Sequence, residues 1–471
     1  MERKNAWKAY DQAAVQAVQD FGAGYIKWLT VSKTEREATA NAISKARKAG
    51  YRSLAEAREA GKPLAPGDRV YADNHGKSLI LVQVGSEPME RGFNILGAHI
   101  DSPRLDVKQN PLYESDDLAL LDTHYYGGIK KYQWVTLPLA IHGVVAKTDG
   151  TVVPVTVGEE DTDPAFVVTD LLPHLGADQM DKKAGKVIDG EDLDVLAGGR
   201  PLQINASDAA TDEEKERAAH PVKAQLLAIL QEKYGIAEED FLSAELEVVP
   251  AGPARDCGFD RSMVLGYGQD DSACAYPSLM AQLDAPVLSR TGVCVLVDKE
   301  EIGSVGATGM TSLFFENTMA EIMDLAGQGG DLALRRALTA SRMLSSDVSA
   351  AFDPTYASAY EKKNAAFCGR GLVFNKFTGS RGKSGSNDAN AEYIAHLRAV
   401  MDQAGVYYQF AELGKVDQGG GGTIAYILAK YGMDVIDSGV PVLSMHAPWE
   451  VTNKADVYEA YEGYKAFLEN A

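Results

Sequence analysis

Along residues 7–25 the apolar side chains Val15, Val18, Phe21 and Tyr25 return every three or four positions, the period of a helix with one buried face. Thr34-Glu-Arg-Glu37 then forms a capping-box pattern, and Gly50 suits the end of the helix it starts. The period next shortens. Residues 77–84 (KSLILVQV), 93–99 (FNILGAH) and 291–298 read as strands, and the run 293–297 is short, β-branched and apolar throughout, as a buried strand is. Residues 312–325 and 388–405 are expected to be helical and 440–445 to be a strand, while Asp270 and Asp271 in GYGQDDSACAY open a further expected helix.

Between about residues 106 and 250 the texture changes. Segments 134–145 (WVTLPLAIHGVV) and 151–157 (TVVPVTV) read as short strands joined by turns, and a polar, charged stretch follows over 178–219. The pattern predicts an α/β domain in two parts, residues 1–105 and 251–471, interrupted by a β-rich insertion over 106–250. No internal repeat is evident.

Composition narrows the possible functions. A chain of 471 residues with 45% hydrophobic and 24% charged positions has room for two or three packed domains. The segment MERKNAWKAYDQ lacks an apolar core of signal-peptide length, and no run approaches the ~18 apolar residues of a membrane span, so a cytosolic location is expected. Cys257, Cys274, Cys294 and Cys368 show no CxxC pairing and read as small core residues of a reduced compartment. A formal net charge of −21 argues against nucleic acid and anionic membrane as partners, since both need a basic face, and it tolerates bound multivalent cations.

In an open α/β sheet, ligands bind beyond the carboxyl ends of the strands. Asp298, Glu300 and Glu301 follow the run 293–297, where one carboxylate can bind a cation while another moves protons; for the glutamate pair taken alone a solvated acidic loop is the preferred reading. His99, in GAHIDSP, also ends an expected strand, and Asp101 two residues on can fix its tautomer. Asp270-Asp271, one carboxylate of which could bridge two cations, Asp347 in MLSSDVSAAFDP and His446 in SMHAPWE complete the set. A lone histidine is usually a packed or surface residue, so the weight lies in the combination. Two imidazoles with three carboxylates suit two divalent ions such as zinc, manganese or cobalt. Paired ions about 3.5–4 Å apart polarise a carbonyl and acidify water, with a free carboxylate relaying the proton, and peptide hydrolysis is a natural use. The ligands are scattered and no HExxH motif is present, so spacing alone does not establish that chemistry. Lys376, Arg381 and Lys383 form a basic cluster that suits an acidic side chain, a substrate carbonyl or plain solvent. Glycines 419–422 suit either an anion-holding turn or close backbone packing, with packing preferred.

GAHIDSPRLDVK, GYGQDDSACAY, DKEEIGS, LSSDVSAAFDP, KFTGSRGKSGSNDA and SMHAPWE occur in this order, and with them the chain resembles the M18 family of metallo-aminopeptidases over nearly its whole length. The resemblance implies an α/β/α catalytic domain of the two-zinc exopeptidase type with an inserted β-rich dimerisation domain. It implies two divalent ions per subunit, zinc first and cobalt or manganese second. His99, Asp270 and Asp347 would hold one ion, and Asp270, Glu301 and His446 the other. Glu300 would be the general base, Asp101 would orient His99, and Lys376 would lie near the substrate pocket. It further implies peptide substrates and a homo-oligomer built from dimers, a tetrahedral dodecamer.

The aspartyl branch of the family has two histidines where this chain has Ala350 and Asp353, and a histidine pair in the dimerisation loop where DLLPHLGAD keeps His174 and has Asp178. This chain is therefore closer to the aminopeptidase I branch, with neutral N-terminal residues expected before acidic ones. His174 is the residue expected to reach a neighbouring subunit's site, an ordinary loop histidine being the alternative. Two other readings are a related two-metal deacylase or carboxypeptidase, and a non-catalytic oligomeric scaffold.

Overall fold

The computed structural model describes residues 4–203 and 211–471, so part of the polar stretch 178–219 and the first three residues lie outside the described residues. The chain divides into two compact units, one of Met1–Ser102, Ala254–Met445 and Trp449–Ala471, the other of Pro103–Pro253 and His446–Pro448.

In the first unit, helix α1 (Gln12–Val31) begins at Asp11, whose carboxylate accepts the Ala14 N–H at 2.8 Å, and it buries Val18, Tyr25, Trp28 and Leu29. Trp7 lies ahead of it in a single 3-10 turn, Ala6–Lys8. Helix α2 (Glu35–Lys48) starts with the expected box: Thr34 Oγ1 accepts the Glu37 N–H at 3.2 Å, and Glu37 Oε2 accepts the Thr34 N–H at 3.3 Å. Loss of such a cap costs about 1 kcal/mol. Thr34→Ala is thus expected to lower the free energy of urea unfolding by about 1 kcal/mol, seen as a lower midpoint at unchanged activity; an unchanged midpoint would mean that packing alone holds this helix start.

Nine strands form the main sheet: β1 (Arg52–Ser53), β2 (Arg69–Asn74), β3 (Ser78–Gln83), β4 (Phe93–His99), β5 (Thr291–Val297), β6 (Arg342–Ser346), β7 (Leu372–Asn375), β8 (Tyr408–Phe410) and β9 (Asp434–Gly439). Their order is β1-β2-β3-β5-β4-β6-β9-β7-β8. The central four, β5, β4, β6 and β9, run parallel, so their carboxyl ends share one edge.

Alternation along these strands sends side chains to opposite faces. Leu96, Ala98, Cys294, Leu296 and Leu344 join a core with α1, α2, α3 (Gln269–Asp284), α6 (Ala391–Ala404) and α7 (Lys454–Asn470). Phe93, Ile95, Val293, Val295 and Met343 join a second core with α4 (Phe314–Leu325) and α5 (Asp331–Thr339). Both faces of the sheet are covered, which is why its central strands read as continuous apolar runs. A smaller five-stranded sheet joins Arg255–Cys257, Met263–Gly266, Glu450–Asn453, Pro441–Leu443 and Ser349–Ala350.

The second unit is a seven-stranded antiparallel sheet in the order Val152–Val157, Leu139–Ala146, Ala244–Pro250, Arg104–Ser115, Leu118–Tyr126, Val195–Gly198 and Val167–Val168, with the helix Pro221–Tyr234. The strand expected from residue 134 begins only at Leu139. Trp134 is fully buried but follows a 3-10 turn, Thr136 has a φ of +61°, and Pro138 lacks the N–H that a strand interior needs. The strand expected over 440–445 is likewise shorter, Pro441–Leu443, because Ser444 turns out of it at φ +58°. Among the described residues no helix is long and apolar enough to cross a membrane.

Candidate metal centre

The carboxyl edge of β4, β5 and β6 gathers the acidic residues. His99 is the last residue of β4 and sits opposite Val297 of β5. Beyond Val297 the chain turns through Lys299 at φ +67° into a short turn that carries Glu300 and Glu301. Asp347 follows β6 directly. Asp270 and Asp271 come at the start of α3, where their backbone is not helical (φ/ψ −83°/103° and −115°/24°) and the peptide bond between them is cis.

These groups meet. His99, Glu300 and Asp347 offer donor atoms within 4.8 Å of one another, as do His99, Asp270 and Glu301, and as do Asp270, Asp271 and Asp347. Each pair among His99, Asp270 and Asp347 therefore shares a grouping, although no grouping holds all three. Asp101, 1% exposed, ties the pieces together: its Oδ1 accepts the Glu300 N–H at 3.1 Å, its Oδ2 accepts the Glu301 N–H at 3.2 Å, and Oδ1 also lies 3.3 Å from His99 Nδ1. His99 Nε2 stands 3.2 Å from Asp270 Oδ1.

Two residues here, Glu450 and Asp437, had no role in the sequence, and Asp271 had one only as the alternative to Asp270. Asp271 is fully buried; its Oδ2 accepts the His99 N–H at 3.2 Å, while its Oδ1 has no hydrogen-bond partner. Glu450 Oε2 accepts the Asp270 N–H at 3.1 Å. Asp437 on β9 accepts from Thr423 Oγ1 at 2.5 Å. Asp271 was visible as an acidic neighbour inside an apolar helix start, and Glu450 as the last letter of SMHAPWE. Asp437 left no local signal, because its burial depends on the sheet.

The electrostatics mark a site with too much negative charge. Burial pushes the Asp271 and Asp347 carboxyls well above the usual carboxylate range; Asp270 adds to this for Asp271, and Glu300, Asp271 and Asp270 add to it for Asp347. Asp437 is pushed up to about 7, chiefly by burial, with the charge of Glu300 contributing. Burial pulls His99 down, yet its contacts with Asp101 and Asp270 outweigh this and raise it well above the ordinary value. An imidazole nitrogen and carboxylate oxygens around an orphaned buried Asp271 Oδ1 form a donor set that fits divalent cations such as zinc.

Comparison with known proteins agrees with that chemistry. Residues 28–468 match the family described as aminopeptidase I zinc metalloprotease (M18). The chain belongs to the M18 aminopeptidase family. A Clostridium acetobutylicum relative, called a probable M18 family aminopeptidase 1, is 60% identical over 100% of this chain and 98% of its own length. The solved structure of an aminopeptidase I from that organism has a TM-score of 0.91 at 56% identity, and that of an M18 aminopeptidase from Thermotoga maritima has 0.92 at 41% identity; each covers 100% of both chains. The chain is thus a metallo-aminopeptidase of the zinc-dependent M18 type, a hydrolase of peptide bonds.

Three further residues were expected from the sequence. His446, within the second unit, has φ +64° and its Nδ1 lies 2.8 Å from the Gly128 carbonyl oxygen. His174 is exposed in the loop between Val167–Val168 and the helical turn Ala177–Met180. Lys376 is exposed just past β7 and pairs with Asp388 at 3.4 Å. Glycines 419 and 420 are packed, not open: a Cβ on Gly419 would fall 1.6 Å from the Leu413 carbonyl oxygen, and one on Gly420 would fall 2.7 Å from Ser380 Cα.

Proposed function

We propose that this M18 enzyme is a two-metal aminopeptidase that removes N-terminal residues from peptides, neutral residues in preference to acidic ones. The observation that carries the reading is the convergence of His99, Asp270, Asp347, Glu300 and Glu301 at one strand edge. His99, Asp270 and Asp347 would hold one ion, Asp270, Glu301 and His446 the second, with Asp270 as the bridge. When bound, two zinc ions polarise the scissile carbonyl and make the attacking water more acidic. Glu300 takes the proton from that water and delivers it to the leaving amine nitrogen. Asp101 holds both glutamates by their N–H groups and orients the His99 ring. Lys376 binds the substrate carbonyl or an acidic side chain, and His174 stabilises the oxyanion in a neighbouring subunit's site.

The β-rich insertion would be the dimerisation domain of a cytosolic, tetrahedral dodecamer. One solved structure of the same fold, 18% identical with a TM-score of 0.75 over 95% of this chain, is described as the S. cerevesiae mApe1 dodecamer, which supports that assembly.

Zinc-restored protein is expected to cleave leucine anilide and to leave N-acetyl-leucine anilide intact, because an aminopeptidase needs the free amine. Release of acetate from N-acetyl-leucine would make it a deacylase instead. A panel of leucine, aspartate, glutamate and lysine anilides ranks the preference.

A further inference from the structure

Segment 362–370, Lys376 just past β7, β8 and α6 line an open cavity of about 810 Å³, of which the peptidase reading uses Lys376 alone. Lys362, Lys363, Arg370, Lys376 and Arg398 line it, and among the described residues none that lines it is acidic. In a chain with 67 acidic and 46 basic side chains, five cations around one cavity, with no carboxylate among its described lining residues, run against the overall balance.

The wall is built independently of those charges. Asp456 is fully buried, and its two carboxylate oxygens accept the Gly369 and Gly371 N–H groups at 2.7 and 2.6 Å. The Gln409 amide clamps Phe367, accepting its N–H and donating to its carbonyl, both at 2.9 Å. On this frame the Arg370 guanidinium carbon lies 4.1 Å from the centre of the Phe367 ring. Lys376 and Lys383 share Asp388 on the rim, so one carboxylate serves two ammonium groups there.

Like charges gathered in a concave, partly apolar wall focus a positive field and repel one another, and a ligand with several negative groups relieves that repulsion at several points together. Arginine adds a planar fork that matches phosphate or carboxylate. We propose that this cavity binds small oligo-anions, compounds carrying two or more clustered phosphate or carboxylate groups.

The test uses the full-length, zinc-loaded protein and pyrene-1,3,6,8-tetrasulfonate, a fluorescent polyanion that does not strip metal, read by anisotropy at low salt. Wild type is expected to bind it, and Lys363→Ala/Arg398→Ala to bind about tenfold more weakly or worse, with leucine anilide turnover unchanged. The milder Lys363→Gln/Arg398→Gln should show the same loss and guards against a folding defect. A control that removes two lysines elsewhere, Lys182→Ala/Lys215→Ala, should bind like wild type. Displacement of the probe by tripolyphosphate assigns phosphates, and displacement by citrate assigns carboxylates. Equal affinity in wild type and the Lys363/Arg398 variants, or an equal loss in the control, overturns the proposal. Displacement by hexaglutamate alone overturns it too, in favour of an acidic-peptide site.

Discussion

Glutamine at position 300 is expected to lower kcat on leucine anilide by about 10²- to 10⁴-fold, the usual worth of a positioned general base, with bound zinc at the wild-type level. Glu300→Gln keeps the side chain's size and leaves the backbone N–H that donates to Asp101 Oδ1 at 3.1 Å, so the turn after β5 should hold its shape. Only the capacity to take up a proton is lost. Glu301→Gln should behave differently, shedding zinc and losing activity as a consequence, because Glu301 is assigned to a cation and not to the water. The pairing of the two variants matters, because both glutamates share a donor grouping with His99. Metal analysis beside kinetics separates the roles: zinc loss from Glu300→Gln with zinc retained in Glu301→Gln would mean that the two exchange places.

Much of the catalytic unit could be read from local chemistry. The run 293–297 is β5 because β-branched apolar residues bounded by a glycine and a charge cluster have one good use, a strand covered on both faces. Thr34 and Glu37 announce α2 because a capping box satisfies two backbone donors through four consecutive residues. Asp298 stood at a strand end like the site residues, yet it is 1% exposed and bound to Thr308 Oγ1 and the Lys299 ammonium, so it shapes the turn.

What was not legible depends on contacts distant in sequence. The strand order that sets β4 between β5 and β6 brings His99 and Glu300 together across about two hundred residues, and no periodicity encodes it. Asp271 looked like a duplicate of Asp270 until its carboxylate was seen to receive the His99 N–H. Glu450 reaches Asp270 from the small five-stranded sheet, and its place follows from pairing with residues 263–266. Trp134 misled because a buried aromatic in an apolar run resembles a strand start, whereas Thr136 and Pro138 turn the chain there.

The second large effect is that of metal removal. Without cations, burial drives Asp271 and Asp347 toward their protonated forms, while bound cations favour the charged forms of these groups. A ligand that binds the folded state alone adds about 2.7 kcal/mol of stability at a hundredfold excess over its Kd. Chelator-treated protein should therefore be inactive and melt at a lower temperature, and zinc should restore both properties.

The most direct test of the two-metal account is a zinc titration of the stripped enzyme, with leucine anilide turnover and bound zinc read on the same samples. No turnover is expected at the start, followed by a rise that saturates at two zinc ions per subunit. Full turnover in the stripped enzyme, or saturation at a single ion, would contradict the two-metal account.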